Sequence, residues 1–274
     1  MSSCSRVFAI WMESAELEWI NALAAAGKLP IFEQLRQQGT ISYLEGPTHT
    51  ASEVAHPMLI SGCLPSTSGG WSVQPFDPKT YQLSPTEPFG YEQHPPFYDL
   101  DPSIRTLTFD LSETPVFDHL PATQIAGWGA HAPLGPRSSK PSGLVDEIVT
   151  RFGDHPTGQG RDQADAHSQE SLEKLFRDVM SGLKMREAAT IALMKEQPWD
   201  LFLTDFSEFH SAGHFLMPPA NEHDSLAQWC RERLEAVDAT LGRMLDSLPD
   251  EVRVVVFSIH GMRSNYEDSA NLLL

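Results

Sequence analysis

Positive charge is scarce in this chain of 274 residues: 19 Lys and Arg stand against 37 Asp and Glu, a formal charge of −18. Such a surface repels nucleic-acid backbones and offers them no basic footprint, which excludes DNA or RNA as a partner. The same deficit argues against docking on anionic lipid. Cysteine is scarcer still. Cys4, Cys63 and Cys230 are odd in number and none lies in a CxxC pair, which excludes a disulfide framework and points to a reducing compartment. Long apolar runs are also missing. No stretch reaches the roughly 20 residues that span a bilayer. The opening run Val7 to Met12 is short and stopped by Glu13, unlike a secretory leader. A cytoplasmic location is the resulting expectation. An anionic substrate would then meet its positive field in bound cations.

What is there alternates. The apolar run VFAIWM reads as a buried parallel strand, followed by a helix over 15–26 stopped at Gly27 and another from Pro30 to about Gln38. Thr40 to Leu44 alternates like a strand, and 52–61 reads as a helix closed by Gly62. Residues 65–102, rich in Pro, Gly and aromatics, form an irregular excursion with at most short strands. Strands are expected at 104–111 and, more weakly, at 124–128. Residues 131–168 read as loop apart from a short helix over 144–152. Ser168 caps a long helix ending before Pro198, DLFLTDF (200–206) is a strand, 224–248 an amphipathic helix and VRVVVF (252–257) the last strand. Together these predict one α/β domain over 1–274, its mostly parallel sheet flanked by helices on both faces.

In such sheets sites form at the carboxyl ends of strands. Polar clusters stand there: Glu13 after the first strand, Glu208 to His214 after DLFLTDF, and His260 after VRVVVF. His210 and His214, spaced i,i+4, fall on one side of a helical turn where both can reach one metal ion, although such pairs also occur as ordinary surface histidines. A lone His260 is also common in turns, and a lone Glu13 at a helix start. Ahead of the 52–61 helix, Thr48, Thr50 and Ser52 crowd an N-terminus that favours anions. A serine there can act as a nucleophile or simply as a cap.

Taken in order, these pieces resemble the alkaline phosphatase superfamily, most of all its type I phosphodiesterase/nucleotide pyrophosphatase branch. The family's start, an apolar strand, an Asp, a helix and GKLPNLxxLxxxGT, is matched by VFAIWMESAELEWINALAAAGKLPIFEQLRQQGT. Its nucleophile segment is matched by SEVAHPMLISGCLPSTSGGW, its DxxGH after a strand by DLFLTDFSEFHSAGH, and its SDHGM by VVVFSIHGM. The resemblance implies one or two divalent ions, zinc above all, and a small phosphate-ester substrate. Phosphonate and sulfate esters fit the same architecture. The implied nucleophile is Ser52, with Thr50 next. The implied ligands are Glu13, His210, His214 and His260, with Glu208 as a further carboxylate. This imidazole-rich set suits zinc and is poor for magnesium or calcium.

Four departures qualify the match, the first two being that the Asp after the first strand is Glu13 here and the Asp of DxxGH is His210. The Asp of SDHG is Ile259, which cannot bind metal, and no His follows His260 in the sequence. Family members continue past SDHGM, so either the chain is truncated or its subfamily has a different site. The expectation is weaker metal binding and slow turnover, with an apolar NLLL end that promotes association. The rival expectation is a catalytically impaired member that uses its cleft for binding.

Overall fold

The computed structural model describes residues 6–43, 46, 54–72, 76–83, 89–131, 135–159, 161, 164, 165, 168–217 and 225–262. Thr50, Ser52 and the NLLL end lie outside the described residues.

A six-stranded sheet runs through the molecule. In chain order its strands are β1 (Arg6–Trp11), β4 (Thr106–Phe109), β5 (Thr123–Ala126), β6 (Ser138–Lys140), β7 (Leu201–Asp205) and β8 (Val252–Phe257), arranged β6-β5-β4-β7-β1-β8. All pairings are parallel except β5 with β6. A two-residue hairpin of β2 (Phe76–Asp77) and β3 (Gln82–Leu83) stands apart in the irregular excursion.

The pleat splits the core. Phe8, Ile10, Leu107, Phe109 and Phe202 point to one face, where α1 (Leu17–Ala25), α2 (Pro30–Gln38), α5 (Leu144–Phe152), α6 (Gln169–Glu196) and α8 (Ser225–Asp246) cover them. Ala9 and Leu203 point to the other face, against α3 (Ala55–Ser61) and the aromatics Tyr91, Tyr98 and Phe117. The excursion thus covers the second face of the sheet. Two short helices complete the set, α4 (Pro65–Ser68) and α7 (Glu208–Leu216).

Most expected elements are present within a few residues. Ser168 caps α6 as expected, its hydroxyl accepting from Ser171 N. One expected strand is not seen among the described residues: 40–43 pair with no described strand, Ile41 and Tyr43 are 52% and 76% exposed, and Leu44 lies outside the described residues. One strand was unexpected, because β6 reads Ser-Ser-Lys and carries no apolar signal.

Candidate metal centre

Register brings the chemistry together. Trp11 at the end of β1 lies opposite both Asp205 of β7 and Phe257 of β8, and Phe109 of β4 lies opposite Thr204. Four strands therefore stop at one edge, and the residues just beyond them share it.

Glu13 sits at the centre, fully buried. Its Oε1 lies 3.0 Å from His56 Nε2 and 3.1 Å from His210 Nδ1, and its Oε2 accepts from the Ser112 hydroxyl at 2.6 Å. The chain turns sharply after it. Ser14 has φ 61°, a left-handed conformation uncommon outside glycine. That turn places the Ser14 hydroxyl 3.1 Å from His210 Nδ1 and 3.3 Å from His260 Nδ1. The His131 ring stacks on that of His210, with centroids 3.5 Å apart. One donor atom each from Glu13, His131 and His210 lie within 4.8 Å of one another.

The expected site residues fare differently. Glu13, His210 and His260 share this cluster, and His214 joins through a 2.7 Å approach of its Nε2 to His210 Nε2. Glu208, on the same helix, is engaged elsewhere. Its carboxylate receives Arg186 Nε at 2.8 and 3.0 Å and lies 2.9 Å from His155 Nε2. Ser52 and Thr50 are outside the described residues. Two positions after Val54, in the first turn of α3, His56 reaches the Glu13 carboxylate.

The electrostatics of this edge favour a cation. Burial pushes the Glu13 carboxyl up, but the bonds and charges of His210 and His56 prevail and hold it well below the usual range. Burial works against a charged His56 too, yet Glu13, Glu113 and Asp205 raise it. Asp205, also fully buried, is pushed well above the ordinary carboxylate range by burial and by the charge on Glu13. Its Oδ2 accepts from Ser112 N at 3.0 Å, while its Oδ1 has no hydrogen-bond partner among the described residues. Two buried carboxylates beside one another repel unless positive charge lies between or next to them. Burial lowers His260, which keeps its imidazole neutral and able to ligate.

These donors fit a metal ion. Two imidazoles and a carboxylate are the ligand types of three-ligand zinc sites, and two of the three carry the second-layer bonds typical of such ligands, Ser112 on Glu13 and Ser14 on His210.

A profile of the type I phosphodiesterase / nucleotide pyrophosphatase family matches residues 10–272. The chain belongs to that family. Two solved structures resemble it, both of phosphonoacetate hydrolase from Sinorhizobium meliloti 1021. The complex with phosphonoformate gives a TM-score of 0.56 and the complex with phosphonoacetate 0.52, each at 14% identity over 94% of this chain. The chain spans 57% of the length of those structures. At such identity the likeness is one of fold. Among curated proteins none matches its sequence.

Within this type I phosphodiesterase-family chain, the motif order did not point to His131, His56, Ser14 or Ser112. His131 follows β5 and Ser112 follows β4, both at the carboxyl edge. The strand-end rule applied to those two expected strands would have found them.

Proposed function

We propose that this chain is a metal-dependent hydrolase of small phosphate mono- or diesters, using a hydroxyl nucleophile. One observation carries the reading: Glu13, His131 and His210 bring donor atoms within 4.8 Å of one another at the carboxyl edge of a sheet in a phosphodiesterase-family chain. Zinc is the ion this donor set suits, and it would supply Lewis-acid stabilisation of the charge developing on phosphoryl oxygens. Glu13, His131 and His210 would hold it. His214 and His260 stand next to them and would serve a second ion. His260 Nε2 is buried without a hydrogen-bond partner among the described residues, which suits a ligand atom.

Ser52 is the proposed nucleophile, with Thr50 next, because both precede α3 at the place the family motif gives its hydroxyl. The Ser52 hydroxyl would attack phosphorus and release the alcohol, and water would then free the phosphate and restore the serine. Ser112 and Ser14 orient Glu13 and the two imidazoles. The Ile259 side chain offers no ligand, so the second ion is the weaker one and turnover is slow. A cytoplasmic setting belongs to the same proposal, resting on unpaired Cys63 and Cys230. Among the described residues no helix is long and apolar enough to cross a membrane.

The test is a hydrolysis screen over phosphomonoesters, phosphodiesters, phosphonates and sulfate esters with added zinc or manganese. Metal-dependent release from a phosphate ester, lost in Ser52→Ala, supports the reading. Turnover unchanged by chelator, or by both Ser52→Ala and Thr50→Ala, contradicts it.

A further inference from the structure

Behind the candidate centre lies a buried arginine that the proposed chemistry does not use. Arg186 occupies the apolar stripe of α6 with Val179, Leu183, Thr190 and Leu193, all 0–2% exposed. A guanidinium is buried only where it is paired and hydrogen-bonded. Its Nε donates to both oxygens of Glu208, at 2.8 and 3.0 Å. Its Nη2 donates to Asp110 Oδ2 at 3.2 Å and to the Ser207 hydroxyl at 3.1 Å.

Each partner leads to a proposed metal donor. Asp110 accepts the backbone N–H groups of Trp128 at 2.8 Å and Gly129 at 2.6 Å, in the turn that carries His131. The Ser207 hydroxyl donates to the Gly129 carbonyl at 2.6 Å. Glu208 opens α7, two residues before His210. One guanidinium thus joins the turn of His131 to the helix of His210. His155 wedges the junction. Its Nε2 lies 2.9 Å from Glu208 Oε1, and a Cβ added to Gly129 or Gly182 would come within 2.5 Å of its ring.

We propose that Arg186 is a positioning residue, which fixes the separation of His131 and His210 through Asp110 and Glu208 and so sets the geometry of the metal centre. This rests on the metal reading above. It requires the planar fork: a lysine keeps the charge but cannot hold Glu208, Asp110 and Ser207 at once in fixed directions.

The experiment is cobalt(II) titration of the full chain, followed by visible absorption, with circular dichroism and thermal melting alongside. Wild type is expected to bind cobalt with the intense absorption of a four-coordinate site. Arg186→Lys is expected to fold yet bind about 10–100-fold more weakly, the range typical of lost outer-layer partners, with an altered band. Where the unpaired carboxylates unfold that variant, the double variant Arg186→Met/Glu208→Gln removes the Arg186–Glu208 pair while keeping volume, and leaves Asp110 with its two backbone N–H donors. It is expected to fold and to show the same weakened, altered binding. A folded variant with lowered melting but wild-type affinity and spectrum overturns the proposal, since Arg186 would then serve stability alone. Wild type that binds no cobalt at all overturns the metal reading itself, and the positioning role with it.

Discussion

The two strands that flank β1 deliver histidines to the same edge on different foundations. β7 is interior, paired with β4 and β1, and four of its five residues are buried. It runs into Ser207 and Glu208, which Arg186 holds, and then into His210. β8 is an edge strand whose burial alternates, with Val255 45% exposed. It runs into Ser258 and His260, where the Ser258 hydroxyl donates to the His260 carbonyl and Ser14 meets the ring. The difference teaches where the geometry of the centre is set. The wall with Glu13, His131 and His210 is braced by buried charge, whereas the hydroxyls of Ser258 and Ser14 hold the β8 wall. It is also the wall on which Ile259 stands in place of a carboxylate.

Breaking the braced wall is expected to have the largest effect. Glu13→Gln should weaken zinc binding by more than the about 10–100-fold that an outer-layer loss costs, as read by isothermal titration. The metal-free melting temperature should fall, because a Gln loses the ionic bonds to His56 and His210 that hold the Glu13 carboxyl well below the usual range. A variant that binds zinc normally would remove Glu13 from the centre. Next, His131→Ala should lose about 100-fold in zinc affinity and His260→Ala about 10-fold. Equal losses would erase the contrast between the walls.

The same contrast should appear in stability. Phe202→Ala on β7 empties a fully buried site and should cost about 3–5 kcal/mol in urea unfolding. Val255→Ala on β8 should stay within about 0.5 kcal/mol. The smallest effect is at the far end of β7. Asp200 is bonded to Arg105 at 2.6 and 2.8 Å, and those bonds hold its carboxyl down at about 2. A depressed carboxyl stabilises the fold above its unfolded value of about 4, and that contribution disappears as pH falls through about 2. Asp200→Asn should therefore cost about 0.2–1 kcal/mol at pH 7, the range of partly exposed pairs, and nothing near pH 2.

The fold was largely legible because its strands β1, β7 and β8 are apolar runs and its long helices carry caps and periodic stripes. Residues 40–43 misled because alternation cannot tell whether a partner strand exists, and β6 was silent because an antiparallel edge strand can be wholly polar. The candidate site was half legible. Glu13, His210 and His260 follow strong strands, but His131 follows a four-residue strand and opens the stretch 131–168 that reads as loop. Arg186 left a signal that went unread: a charged residue in register with Val179, Leu183 and Leu193 on an apolar stripe must be buried and paired. Its partners Asp110 and Glu208 lie 76 and 22 residues away and become neighbours only once the sheet is ordered.

The most direct test is an anomalous difference map, collected at the zinc edge from crystals of the zinc-loaded chain. The account predicts a strong peak within bonding distance of Glu13, His131 and His210, with any second and weaker peak toward His214 and His260. A map with no peak at that cluster, or with zinc held by His214 and His260 while Glu13 and His131 stand clear, would contradict it.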